Sequence, residues 1–194
     1  MIFMIDESCL TALDKGEKTA VNALSQLAFH RKKSRNLVMA KKKVLEHLMH
    51  VASFSEATRT VYKTLFHRAS ENRIYLDAVK QYILVVPEIE NERVIKKELP
   101  DNRQQTIYQL TLSELAQSDI TDRVNMLTEN IEDSGFYKMI GKFYGRTCSI
   151  KNCILDFEKR MGGGSTTVKV FEDILKEKQR LCLCIVDSFI SGSA

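Results

Sequence analysis

The sequence predicts an α/β protein: a helical N-terminal region that opens with a strand, followed by a parallel β-α-β-α-β unit. The 194 residues have ordinary globular composition, 44% hydrophobic and 28% charged, which argues against disorder or low complexity. In the first part of the chain, apolar residues recur every three or four positions, as on amphipathic helices. Later, short apolar runs alternate with helical patterns, which is typical of a parallel sheet with crossover helices.

The N-terminal region begins with a branched and aromatic run at residues 2–5 that predicts a buried strand. Helical spacing follows from about residue 15 to residue 70, and the segment 53–56 is typical of a helix start. Residues 75–86 are mostly apolar and leave helix and strand both open. Because residues 87–101 are polar and contain the Pro100 turn, we place the boundary there. The predicted divisions are a mainly helical region at 1–100, a connection at 101–121 and an α/β domain at 122–194.

The C-terminal domain is predicted from three apolar runs separated by two helical patterns. The predicted strands cover residues 124–128, 153–157 and 181–186, and the predicted helices cover residues 134–144 and 166–178. Ligands of such sheets bind beyond the carboxyl ends of the strands, so the residues at those ends are the functional candidates.

Composition also restricts the class of protein. No apolar run has the roughly 18 to 20 residues that a membrane-spanning helix requires, so we expect a soluble, cytoplasmic protein without a membrane partner. The five cysteines show no paired C-x-x-C spacing, which favours reduced thiols over disulfides or structural zinc.

Positive charge is concentrated near the N-terminus. Residues 1–70 carry 12 Lys/Arg against 6 Asp/Glu, and the excess lies in two short clusters that could contact nucleic-acid phosphates or an acidic partner. The candidate phosphate-binding residues are Arg31, Lys32, Lys33, Arg35, Lys41, Lys42 and Lys43. The alternative interpretation is a solvated helix face beside a turn.

Acidic residues and a glycine run follow the predicted strands of the C-terminal domain. The first strand ends at Glu129, the second leads into Gly162, Gly163 and Gly164, and the third ends at Asp187. Carboxylate oxygens at such an edge suit Mg²⁺ or Mn²⁺, and phosphodiester chemistry is a natural use of these ions. The glycine run, Gly162 to Gly164, is a candidate phosphate cradle, in which backbone amides would point at the phosphate. Each feature also has a simpler interpretation: acids favour helix starts, and glycines form flexible turns.

The combination of these motifs over residues 122–189 resembles the Toprim domain of topoisomerases, primases and the OLD-family nucleases of phage defence. The resemblance rests on Glu129 and Asp133 after the first strand, Phe136-Tyr137 on the following helix, the glycine turn, and Asp187-Ser188 after the third strand. It implies that Glu129 acts in acid–base and metal chemistry and that Asp133 and Asp187 hold Mg²⁺ or Mn²⁺.

The resemblance further implies a metal-dependent nuclease, or a nuclease-derived component, of a bacterial phage-defence system that acts on DNA or RNA. Defence proteins of this kind commonly work with an ABC-type ATPase, so we expect such a partner and allow for a homo-oligomer. Phe189 stands where the family has the second aspartate of its Asp-x-Asp pair, and the unit is expected to be an incomplete Toprim domain. The alternative function is therefore a non-catalytic binding or regulatory subunit.

A second nuclease class is also open. Asp6 and Glu7 end the first strand of the chain, as acids do in PIN-type nucleases. The later motifs fit Toprim better.

Overall fold

The computed structural model describes residues 1–147, 154–177 and 180–186. It divides the chain into two compact units, Met1–Gln117 and Ser118–Ala194. Each unit has strands and helices of its own and a largely or wholly parallel sheet. The predicted α/β class is therefore confirmed.

Unit 1 contains five strands and six helices. The strands are β1 (Ile2–Ile5), β2 (Leu37–Ala40), β3 (Gln81–Val86), β4 (Val94–Glu98) and β5 (Gln104–Thr111). The helices are α1 (Cys9–Asp14), α2 (Lys18–Lys32), α3 (Lys42–Leu48), α4 (Glu56–His67), α5 (Ala69–Ala78) and α6 (Leu112–Gln117).

The sheet of unit 1 has the strand order β2-β1-β3-β5-β4. Four of its strands are parallel, and only β4 is antiparallel to its neighbour β5. Every residue of β4 is exposed, and the charged Lys96, Lys97 and Glu98 protect this edge against pairing with other chains. The carboxyl ends of the four parallel strands consequently share one edge of the sheet.

The core of unit 1 forms between β1 and the helices. Phe3 of β1, Leu24 of α2 and Leu45 of α3 are at most 1% exposed. Tyr62 of α4 is also fully buried, and its hydroxyl donates a hydrogen bond of 2.8 Å to the Leu24 carbonyl. The Ser55 hydroxyl accepts a hydrogen bond from the Thr58 amide and so caps α4, which explains the predicted helix start.

Unit 1 contains more strands than the sequence predicts, and it extends to Gln117, beyond the boundary predicted at 87–101. The region at 1–100 holds four strands in addition to its helices, and the predicted connection at 101–121 contains β5 and α6. Residues 75–86 divide between the end of α5 and β3. The hydrophobic pattern does not predict β5, because one of its buried positions is the polar Gln105. The Gln105 side-chain amide donates hydrogen bonds to the Leu76 and Val79 carbonyls.

Unit 2 has the predicted alternation of strands and helices. Its elements are β6 (Val124–Thr128), α7 (Ile131–Thr147), β7 (Phe157–Met161), a 3-10 turn (Gly164–Thr166), α8 (Thr167–Glu177) and β8 (Cys182–Ile185). The strand order is β7-β6-β8, and both pairings are parallel. The middle strand lies four residues beyond its predicted start, because β7 is a charged edge strand with Glu158, Lys159 and Arg160.

Candidate functional site

The candidate site of unit 2 lies at the carboxyl edge of its sheet. Strand pairing aligns Thr128 of β6 with Met161 of β7 and with Ile185 of β8. Glu129, Gly162 and Val186 therefore follow the three strands at the same level of the edge. β7 lies on one side of β6 and β8 on the other, so the order of successive strands across the sheet reverses at β6. Parallel α/β folds bind ligands at such switch points.

Two backbone hydrogen bonds attach the glycine loop to the end of β6. The Gly162 amide donates to the Thr128 carbonyl over 2.8 Å, and the Gly163 amide donates to the Glu129 carbonyl over 3.0 Å. Gly163 has a φ of +73°, a conformation that favours glycine. The sequence-predicted Glu129 and glycine turn are therefore adjacent in the structure.

The same two bonds correct one expectation. The amides of Gly162 and Gly163 donate to protein carbonyls, so they do not form the predicted phosphate cradle. At Gly162, an added Cβ would lie 2.7 Å from Cβ and 2.8 Å from Cγ2 of Thr167. The glycine at this position is required by the close approach of the loop to the start of α8.

Asp133 and Asn130 cap the start of α7. The Asn130 amide donates to Oδ2 of Asp133 over 3.3 Å, and Oδ1 of Asn130 accepts from the Glu132 amide over 3.3 Å. These bonds resemble a capping box, with the Asn130 side chain bonded to the second amide of the helix instead of the third, and they stabilise the helix N-terminus. Asp133 therefore performs the helix-start role that its position also predicts.

Glu129 is half-buried and is not part of this cap. Its carboxylate chemistry suits a hard divalent cation, since Mg²⁺ prefers oxygen ligands and keeps several waters. Among the side chains that the structure describes, no group of three or more His, Cys, Asp or Glu residues could hold a metal ion. Asp187 and Phe189 lie outside the described residues.

A hydrogen bond to a buried amide and an ion pair support the strands of this site. Nε of Arg160 on β7 donates to Oδ1 of the buried Asn125 on β6 over 3.3 Å. Arg123, directly before β6, lies 2.8 Å from the carboxylate of Asp156, directly before β7. Sequence reasoning missed all four residues, because none of them directly follows a strand.

The predicted basic residues of unit 1 take part in local contacts. Lys41 and Lys43 form ion pairs with Glu7, and the hydrogen bond from Lys43 is the main cause that lowers the pKa of Glu7. The ammonium groups of Lys33 and Lys42 lie 4.1 and 4.9 Å from the ring centroids of Phe29 and Phe66.

Two further residues of the basic cluster contact their own turn or line a nearby pocket. Arg31 donates to the Asn36 carbonyl over 3.3 Å. Lys32 lines a small pocket between α2 and α4, and Arg35 is half-buried. Lys32, Lys33, Lys41, Lys42 and Lys43 are exposed, and Glu7 offsets one of the two charges on Lys41 and Lys43.

A cleft also lies at the carboxyl edge of the unit 1 sheet. It measures about 1020 Å³, and its lining includes Asp6, Lys15, Glu88 and Arg93. Oδ1 of Asp6 accepts hydrogen bonds from the amide and hydroxyl of Ser8, at 2.9 and 2.6 Å. The mixed charge of this lining selects no single class of ligand.

Comparison of the chain with protein-family models, with curated proteins and with solved structures finds no match. In the described part of the chain, every helix is too short or too polar to cross a lipid bilayer. The fold and the edge geometry thus define the class as a two-unit α/β protein.

Proposed function

We propose that the protein is a metal-dependent nuclease, or a nuclease-derived Toprim-like component, of a bacterial phage-defence system. The observation that supports this function best is the position of Glu129 beside the glycine loop at the carboxyl edge of β6. That arrangement agrees with the order of motifs on which the Toprim resemblance rests. Nucleic acid is the proposed substrate, and Mg²⁺ or Mn²⁺ is the proposed cofactor.

In this proposal Glu129 moves a proton or binds the ion, and Asp133 and Asp187 complete the ligand set. The ion supplies charge stabilisation at the phosphoryl oxygen when it is bound. The glycine loop holds the Glu129 backbone in place through the Gly163 amide, which limits the positions that the carboxylate can reach. A proton-transferring carboxylate is typically responsible for 10²- to 10⁴-fold of the rate.

The exposed lysines of unit 1 have a separate part in this proposal. Lys32, Lys33, Lys41, Lys42 and Lys43 attract the polyanionic substrate through their summed field, without base specificity. Their contribution should weaken with salt, because the binding of phosphates by lysine releases counterions. An ABC-type ATPase is the proposed protein partner.

A non-catalytic binding or regulatory subunit is the second candidate function. It is favoured by the structural roles of two predicted site elements: the glycine amides bind β6 carbonyls, and Asp133 caps α7. In that case the carboxyl edge of unit 2 is a fold element only, and the basic region of unit 1 docks the partner.

Cleavage of plasmid and single-stranded nucleic acid with Mn²⁺ tests the two functions. We expect cleavage by the unmodified chain and a loss of about 100-fold or more in Glu129→Ala. Glu172→Ala, at an exposed glutamate of α8, is the matched control and should cut normally. Phe189→Asp restores the second aspartate of the family pair and should raise the rate.

The negative outcome is equally informative. If neither the unmodified chain nor Phe189→Asp cuts or binds nucleic acid, the nuclease proposal fails. A melting temperature that Mn²⁺ leaves unchanged would then support the non-catalytic subunit, because an ion that binds the folded state raises its stability.

A further inference from the structure

The helix α7 carries a row of exposed apolar side chains on one face. We define the α7 stripe as the five large apolar residues at positions 136–144 whose exposed fractions lie between 45% and 72%. They are Phe136, Met139, Ile140, Phe143 and Tyr144. At 100° per residue they occupy an arc of roughly 140° of the helix surface. Such an arc is the usual width of a helix face that packs against another element.

The opposite face of α7 already packs on the unit 2 sheet. Ser134 is buried, and a Cβ added at Gly141 would lie 2.9 Å from Cδ1 of Leu155. The helix contacts β6 and β7, so its small residues provide the close contact with its own unit. The α7 stripe points away from that contact and is not part of the core of unit 2.

The area of the α7 stripe matches what a protein interface needs. With side-chain areas of about 200 Å² for large apolar residues, the five exposed fractions amount to roughly 600 Å². This is at the upper limit of the largest apolar patch on a typical monomer, about 300–600 Å². It approaches the roughly 800 Å² that each partner contributes to an interface of standard size.

The charges beside the stripe identify the partner as a second copy of this chain. Glu132 lies at the N-terminal end of the stripe and Arg146 at its C-terminal end, and both are exposed. They fall on the same flank of the helix, since 14 residues correspond to almost four turns. An antiparallel pair of α7 helices therefore brings Glu132 of each copy beside Arg146 of the other, whereas a parallel two-fold pair sets the two charged flanks on opposite sides of the contact and forms no such ion pairs.

The apolar residues obey the same symmetry. A two-fold axis between Met139 and Ile140 sets Phe136 of one copy against Phe143 of the other. A two-fold interface uses one patch on both subunits and must be self-complementary, as this patch is. Antiparallel helix dipoles add to the attraction. We propose that the α7 stripe is the interface of a homodimer in which two α7 helices pack antiparallel.

Sedimentation velocity of the full chain across a concentration series tests the dimer. We expect a dimer that dissociates on dilution, and Phe143→Glu should weaken it by about 30-fold or more. Phe143 is 72% exposed, so this substitution should leave the fold intact, as far-UV circular dichroism can verify. The matched control is Val168→Glu on α8, which is 68% exposed and lies off the stripe; it should still dimerise.

Charge reversal tests the orientation of the two helices. Glu132→Arg and Arg146→Glu should each weaken the dimer a few-fold, and the double variant should recover the original affinity. A chain that remains a monomer at about 100 µM, a dimer that Phe143→Glu leaves intact, or a double variant without recovery would overturn the proposal. These outcomes do not depend on nuclease activity.

Discussion

The two units differ in how completely they bury the large apolar side chains of their helices. Unit 1 buries Tyr62, Leu24 and Leu45 almost completely, whereas unit 2 leaves Phe143 and Met139 of its longest helix more than half exposed. Both units combine helices with a sheet that is mainly parallel in unit 1 and wholly parallel in unit 2. Unit 1 thus has a large buried core of its own, whereas the exposed apolar face of unit 2 is the surface that the proposed homodimer would bury.

The largest loss of stability is expected from a substitution in the core of unit 1. Tyr62→Ala removes a fully buried ring, a stacked contact with Phe54 and the hydrogen bond to the Leu24 carbonyl. We expect the free energy of unfolding to fall by about 3–5 kcal/mol, because large-to-small changes leave a cavity. Urea unfolding followed by far-UV circular dichroism measures this loss.

The control for this prediction is an exposed tyrosine of the same unit. Tyr108 on β5 is 41% exposed, and Tyr108→Ala should cost less than about 1 kcal/mol. Equal losses in the two variants would contradict a stability that depends on the unit 1 core.

Sequence analysis predicts best the elements whose buried side chains are mainly apolar. The strand β6 begins and ends at its predicted residues because Val124, Met126 and Leu127 give it an apolar character, although the buried Asn125 lies between them. The strand β4 is fully exposed, so no hydrophobic period marks it. Pairing with a neighbouring strand, which a single segment does not encode, determines such edge strands.

The candidate site divides in the same way. Chain order and a parallel sheet suffice to bring Glu129 and the glycine turn to one edge. The direction of the Gly162 and Gly163 amides depends on how the loop meets β6, and composition alone does not determine it. The sequence also does not reveal that one apolar face of α7 is exposed, because its apolar residues have the same spacing as those of an ordinary buried face.

The glycine loop gives a smaller effect in unit 2. Gly162→Ala forces a Cβ to within 2.8 Å of Thr167 side-chain atoms, so the loop must move from the end of β6. We expect a loss of about 1–3 kcal/mol, as for other overpacked sites. Hydrogen exchange should also become faster at the amide of residue 163.

The control substitution lies in the same unit. A Cβ added at Gly145 of α7 meets nothing within 4 Å, and Gly145→Ala should be neutral or stabilising by up to about 1 kcal/mol, because alanine favours helices. If Gly162→Ala is equally neutral, the loop is not held against β6 as tightly as the structure indicates.

The smallest effect concerns the ion pair that joins the β4 edge of unit 1 to α6. Glu114 accepts hydrogen bonds from Arg93 at 2.8 Å and from the Thr111 amide at 3.0 Å, and its own amide donates to the Thr111 hydroxyl. Burial tends to raise the pKa of Glu114, but the hydrogen bonds from Arg93 and Thr111 outweigh it, so the pKa lies below the ordinary 4.5.

A lowered pKa fixes the sign of the pH dependence. The carboxylate stabilises the folded state above the ordinary pKa, and this stability is lost as pH falls through the lower folded value. Because the side chain is 38% exposed, Glu114→Gln should cost only about 0.5–1 kcal/mol at pH 7. The difference between the two proteins should shrink as pH falls below 4.5 and vanish below the folded pKa of Glu114, since a protonated glutamate resembles glutamine. The control is Glu98→Gln on the exposed β4, which should leave the free energy of unfolding unchanged at both neutral and low pH. If Glu114→Gln remains less stable than the unmodified protein at low pH, the carboxylate charge does not cause the loss.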